Sequence, residues 1–197
     1  MKKIITLAFL SAAALVSCKQ TLVETPAQTG TLALTVGNNT EFTTVITTKA
    51  DGEVIDYTNT DNYDVIIDGP TSKTMKFSEL AGDVVELSSG SYSITVTSPA
   101  TEPAAFEQPI YRAYSDFVIR AGEVTPLDLV CTPYNCKVTI ELTENFKKEL
   151  STYEVVISNG IGSLVWTKDE NVNDFAAQKA GYFLARGLEV KVKGHRS

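Results

Sequence analysis

Along most of this chain apolar side chains recur at every second position. Leu32, Leu34 and Val36 share one face, and Tyr63, Val65 and Ile67 alternate with Asp64, Ile66 and Asp68. Tyr92, Ile94 and Val96 alternate with Ser93, Thr95 and Thr97, and Phe117 with Ile119 and then Leu127 with Leu129 continue the pattern. The stretch Phe42-Thr43-Thr44-Val45-Ile46-Thr47-Thr48 is rich in β-branched residues. Period two, broken by Asp-Gly, Gly-Pro, Ser-Gly and Ala-Gly, predicts half-buried antiparallel strands, because successive side chains of a strand point to opposite faces. Strands at this spacing over residues 30–132, with no long helix, predict an all-β sandwich of immunoglobulin-like or transthyretin-like build.

A second unit is expected over residues 133–197. Val138, Ile140 and Leu142 alternate, residues 144–150 suit one or two helical turns, and Tyr153, Val155 and Ile157 alternate again. A turn at Gly160 and Gly162 leads to Leu164-Val165-Trp166, and Gly181-Tyr182-Phe183-Leu184 and Leu188-Glu189-Val190-Lys191-Val192 add two short strands. About five strands fall short of the roughly seven of a complete sandwich. The expectation is therefore a truncated second sandwich with an exposed sheet edge prone to pairing.

The N-terminus departs from the alternation. Met1-Lys2-Lys3 is basic, and residues 4–16 are apolar apart from Thr6 and Ser11. Such a run rises roughly 20 Å as a helix against about 30 Å of bilayer hydrocarbon, so it reads as an export signal over residues 1–17 rather than a span. Leu15-Val16-Ser17-Cys18 resembles the bacterial lipobox, which implies cleavage between Ser17 and Cys18 and acyl chains on Cys18. Each buried methylene contributes about 0.8 kcal/mol, so two or three chains suffice to hold the protein on a membrane. Residues 18–29, with Glu24 and Pro26 and little periodicity, read as a flexible tether.

Charge narrows the partners. Loss of residues 1–17 leaves 180 residues and, with Lys2 and Lys3 gone, moves the formal charge from −7 to −9. An acidic chain is repelled by polyanions, which argues against nucleic acid. With Cys18 lipidated, Cys131 and Cys136 remain, either as a disulfide in an envelope compartment or as two free buried thiols in neighbouring strands.

Several phrases carry resemblances. Leu87-Ser88-Ser89-Gly90-Ser91-Tyr92-Ser93-Ile94 is similar to an edge of carboxypeptidase regulatory modules, a mark of fold and not of activity. Gly30-Thr31-Leu32-Ala33-Leu34, Tyr63-Asp64-Val65-Ile66-Ile67, Phe77-Ser78-Glu79-Leu80, Ala105-Phe106-Glu107-Gln108-Pro109-Ile110-Tyr111 and Cys136-Lys137-Val138-Thr139-Ile140 follow Cys18 and its tether. In that order they resemble an uncharacterised family of Bacteroidota envelope lipoproteins, catalogued as a domain of unknown function. That resemblance implies an outer-membrane lipoprotein, often linked to a further C-terminal module associated with carbohydrate. Surface members of the phylum tend to place acids directly after the lipidated cysteine, whereas here the first acid is Glu24. Thr48-Lys49-Ala50 is similar to the Thr-Lys-Ala of fimbrillins, which implies an alternative role as an adhesin or pilus subunit processed at Lys49.

Candidate chemistry is sparse. Asp51, Glu53, Asp56, Asn59, Asp61, Asn62 and Asp64 supply hard oxygen ligands, but their spacing does not match a calcium loop, and Asp and Asn are the ordinary residues of β-turns. No metal ligation and no cofactor is expected. Phe106, Tyr111, Tyr114 and Phe117 with Arg112 form an aromatic cluster that either plugs the end of the sandwich or contacts a glycan, with Tyr111, Arg112 and Tyr114 as the contact residues. The single histidine, His195, stands three residues from the end of this sequence and leaves no catalytic triad, so the expectation is a non-enzymatic binding or spacer module that meets a glycan or an envelope protein. Replacing Cys18 with Ala should abolish fatty-acid labelling and release the protein from the membrane fraction; a variant that keeps both would remove the anchor.

Overall fold

A computed structural model describes residues 28–39, 46–48, 54–100, 102–168 and 179–196. The expected signal segment, Cys18 and most of the tether lie outside them, as do Lys49, Asp51 and Glu53. Strand follows strand through the first unit: β1 (Thr29–Asn38), β2 (Ile46–Thr48), β3 (Val54–Asp56), β4 (Asp64–Asp68), β5 (Lys73–Lys76), β6 (Val84–Ser88) and β7 (Gly90–Thr97). Then come β8 (Ala104–Phe106), β9 (Tyr111–Ile119), β10 (Val124–Pro133) and β11 (Asn135–Val138). An α-helix, α1 (Glu144–Glu149), precedes β12 (Leu150–Ser158), β13 (Ser163–Lys168), β14 (Gly181–Leu184) and β15 (Glu189–Arg196).

The all-β reading holds, and the alternation marks the buried face. In β7, Tyr92, Ile94 and Val96 are buried while the intervening polar residues are not. The largest sheet has the order β5-β4-β7-β9-β10-β1-β6. β10 runs parallel to β1 from Thr31–Val124 to Asn38–Cys131 and meets β9 in register only at Thr132–Arg112 and Pro133–Tyr111. It thereby passes from one layer to the other. Leu32, Leu34, Val85, Leu87 and Leu129 from one half and Val65, Ile67, Tyr92, Ile94 and Phe117 from the other form one core. Tyr92 stacks on Phe117 with ring centroids 5.4 Å apart.

The second unit is also a sandwich, made of the sheets β11-β14-β8 and β13-β12-β15. Its core is Tyr153, Val155, Ile157, Leu164, Trp166 and Phe183. One strand comes from an unexpected place. β8 lies between β7 and β9 of the first sandwich, yet pairs antiparallel with β14, Gly181 opposite Phe106 and Phe183 opposite Ala104. Phe106 packs edge-on against Trp166 at 4.9 Å, inside the second core. A Cβ on Gly181 would come within 2.8 Å of Leu164 and of the indole, so only glycine lets β14 pass so close to the tryptophan.

Buried asparagines fasten this excursion. The Asn135 amide accepts from Ile110 N at 2.9 Å and donates to Gln108 O at 3.0 Å. Asn159 donates to Pro103 O at 2.9 Å and Leu184 O at 3.2 Å, and its Oδ1 accepts from Gly162 N at 2.9 Å. Each satisfies backbone groups that the irregular chain around β8 would otherwise bury unpaired. The turn residues act similarly: Asp56 accepts from the Thr58 hydroxyl at 2.6 Å and from Thr58 N at 2.9 Å, and Asn59 accepts from Asp61 N. The Thr58 hydroxyl is the main reason the Asp56 carboxyl titrates below its ordinary value.

The cysteines correct the disulfide expectation. Cys131 and Cys136 are both free. Cys131 shares the parity of Leu129 and points into the first core, its thiol toward Val96 O at 3.9 Å, whereas Cys136 lies on a strand of the other sandwich and is exposed. Only one of the two is therefore a buried thiol. Burial pushes the Cys131 thiol from 9.0 up to about 11.

Three outcomes follow from this arrangement. A maleimide at neutral pH should label Cys136 in the native protein and Cys131 only after unfolding, as read by peptide mapping. The protonated Cys131 contributes stability that is complete below pH 9.0 and is lost as pH rises toward about 11, so a Cys131→Ala variant should lose less stability than the parent across that window in denaturant titrations. Phe106→Ala should cost about 3 kcal/mol in the same measurement, because it removes a core ring from the second sandwich; an effect below about 1 kcal/mol would show that β8 is not part of that core.

Candidate functional site

The outer face of the β4-β7-β9 sheet is built from the polar half of the alternation. β4 contributes Asp64, Ile66 and Asp68, β7 contributes Ser93, Thr95 and Thr97, and β9 contributes Arg112, Tyr114 and Asp116. Register sets them in rows across the strands: Asp64–Thr97–Arg112, Ile66–Thr95–Tyr114 and Asp68–Ser93–Asp116. A column of hydroxyls thus runs up the middle strand, with carboxylates on one side and a guanidinium, a phenol and a carboxylate on the other. From Ser91 to Thr97 it extends roughly 20 Å at the usual strand rise.

Hollows lie at both ends of this face. At one end, Asp68, Gly69, Ser91, Ser93, Asp116 and Val118 border an open depression of about 550 Å³. At the other, a groove of about 330 Å³ is lined by Asp64, Thr95, Thr97 and Arg112 from the sheet, Ser98, Ala100 and Ile110 from the excursion, and Tyr134 and Leu184. This second groove exists because the two sandwiches meet there. The backbone on its floor is fixed: Tyr111 N donates to Ser98 Oγ at 3.0 Å, Ser98 N to Tyr111 O at 2.9 Å, and Tyr134 N to Ile110 O at 2.7 Å.

The charged and aromatic groups are already oriented. The Arg112 guanidinium lies 4.9 Å from the centre of the Tyr134 ring, a cation–π contact that holds both side chains at the groove. Asp64 is paired with Lys76 at 2.7 Å. Tyr114 is 63% exposed and donates to Asp116 Oδ1 at 2.7 Å. That hydrogen bond to a carboxylate is the largest cause of its raised phenol pKa. Tyr134 is 49% exposed.

The structure separates the aromatic cluster by parity. Arg112 and Tyr114 point outward, but Tyr111 is 0% exposed and belongs to the first core. Tyr111 is therefore excluded as a surface contact, since its neighbour in the alternation occupies the outer face. Its phenol is raised by burial. Phe117 and Phe106 fill the first and second cores, and Trp166 is buried. Tyr134, Thr95 and Thr97 were absent from the expected contact set; their signal lay in the polar half of β7 and in an aromatic residue between Pro133 and Asn135. The described acidic residues of 56–64 serve turns and an ion pair, and among the described residues no group of three or more His, Cys, Asp or Glu is placed to hold a metal ion. His195 stands exposed on β15, opposite Thr152.

Comparison with known proteins yields structural and family likeness. No curated protein matches the sequence. A crystal structure of a candidate adhesin from Bacteroides ovatus aligns with a TM-score of 0.42 at 10% identity, covering 83% of this chain and 70% of that one. A second, from Bacteroides ovatus ATCC 8483, aligns with a TM-score of 0.41 at 12% identity, covering 96% and 73%. Likeness at that distance says nothing of what this chain binds. The family match is direct and spans both sandwiches. Over residues 28–197 the sequence matches Domain of unknown function (DUF4493), and the chain belongs to that family.

Proposed function

We propose that this protein is a non-catalytic glycan-binding module of the bacterial envelope, held on a membrane by lipid at Cys18. The observation that carries the reading is the groove where the sandwiches meet: an aromatic ring presented beside a guanidinium, next to a ladder of hydroxyls. A sugar has an apolar face that stacks on such a ring and hydroxyls that exchange hydrogen bonds with Thr95, Thr97 and Arg112. The carboxylates Asp64, Asp68 and Asp116 border the same face, and the chain from Cys18 onward, without Lys2 and Lys3, carries −9 in place of −7. That balance favours neutral polysaccharides over sulfated or phosphorylated ones.

Preorganisation supports the same reading. The cation–π contact, the Asp64–Lys76 pair and the Tyr114–Asp116 hydrogen bond fix side chains that would otherwise lose rotamer freedom on binding. Affinity electrophoresis against a panel of neutral plant and host polysaccharides tests the proposal. Tyr134→Ala and Arg112→Ala should each weaken retention by about tenfold, the usual cost of truncating an anchoring side chain. Tyr111→Phe, altered only inside the core, should leave retention unchanged. If no neutral polysaccharide retards the parent protein, the glycan reading fails.

A further inference from the structure

β15 is an edge of the sheet β13-β12-β15, hydrogen-bonded to β12 on one side and unpaired on the other among the described residues. All eight of its residues are exposed. Val192 stands opposite Val155 and Val190 opposite Ile157, both buried, so the two valines continue the core row of β12. They nevertheless remain 53% and 57% exposed. The facing sheet leaves them uncovered. Its own edge strand on that side, β11, likewise leaves Cys136 exposed, although Cys136 pairs with the buried Phe183. At the opposite margin the sandwich is shut, and a Cβ on Gly162 would come within 2.9 Å of the Ala104 side chain.

The sequence of β15 identifies what fits this open edge. Leu188, Val190 and Val192 form an apolar row, with Leu188 39% exposed just before the strand. Glu189, Lys191 and Lys193 form the charged row on the other face. Directly opposed residues of an antiparallel pair share a face, so two identical strands related by a two-fold axis have few registers to choose from. Centring the axis on Glu189, Lys191 or Lys193 sets that residue against its own copy. Centring it on Val192 sets Lys191 against Lys193 of the second copy. Centring it on Val190 sets Glu189 against Lys191 of the second copy, twice, and aligns Leu188 with Val192 and Val190 with itself on the other face. Only this last register matches both rows.

We propose that two copies of this chain associate through β15, antiparallel about a two-fold axis at Val190, to form a continuous six-stranded sheet across two second sandwiches. The contact is isologous and closes as a dimer. It is independent of the ligand taken by the groove. A strand pair buries less than the roughly 1,200 Å² of a standard interface, so the dimer is expected to dissociate at micromolar concentrations. The Glu189–Lys191 ion pair within one chain, 3.1 Å, lies on the surface and is free to exchange partners.

Sedimentation equilibrium of the chain from residue 19 onward, from about 10 to about 500 µM, provides the test. The parent should dimerise with concentration. Glu189→Lys and Lys191→Glu should each weaken the dimer by about tenfold or more, since both turn two opposed pairs into like charges. The double exchange E189K/K191E should restore it, and so should mixing the two single variants, because in the mixed pair both charged contacts across the strands set a lysine against a glutamate. Circular dichroism confirms that the exposed substitutions leave the fold intact. A parent that stays monomeric throughout, as expected if a strand of another polypeptide fills this edge, overturns the proposal. So does a dimer indifferent to all of the exchanges.

Discussion

Everything distinctive about this protein follows from the path taken between β7 and β9. A simple sandwich would join two neighbouring strands by a short turn. Here the chain leaves the first sandwich after Thr97, gives β8 to the second, and returns at Tyr111. The return is secured by buried polar groups, Asn135 on Ile110 and Gln108 and Asn159 on Pro103 and Leu184. Buried amides of this kind are stable only when fully satisfied, which makes the junction specific as well as firm. The groove lined by Ser98, Ile110, Arg112 and Tyr134 is a product of that junction, not of either sandwich alone.

The same path explains which parts of the molecule were legible in the sequence. Strands with several alternating residues, such as β4, β7 and β12, are plain, because each buries one face and exposes the other. β8 is three residues long and sits among Pro99, Pro103 and Pro109, where no periodicity develops. Its pairing with β14 joins residues about 77 positions apart, and such contacts are set by tertiary packing rather than by local pattern. The boundary drawn at 132/133 therefore cuts between a strand and the sheet that strand belongs to.

The candidate site shows the same division. Nearness in sequence groups Tyr111, Arg112 and Tyr114, yet alternation alone already sets Tyr111 on the opposite face from the other two. Cys131 and Cys136 are close in the chain but belong to different sandwiches, Cys131 inside the first core and Cys136 exposed on β11, a separation that only the course of β10 into β11 reveals. Tyr134 gains its place from stacking against Arg112, a diagonal contact set by the pairing of Thr132 with Arg112 where β10 meets β9.

The parallel course of β1 beside β10 gives the first sandwich a mechanical character. When tension acts between the two ends of the chain, it pulls β1 toward its N-terminus and β10 toward its C-terminus. Parallel strands loaded in opposite senses slide along each other, so the ladder from Thr31–Val124 to Asn38–Cys131 bears the force in shear and its bonds share the load at once. An antiparallel pair pulled from adjacent ends would instead open one bond at a time.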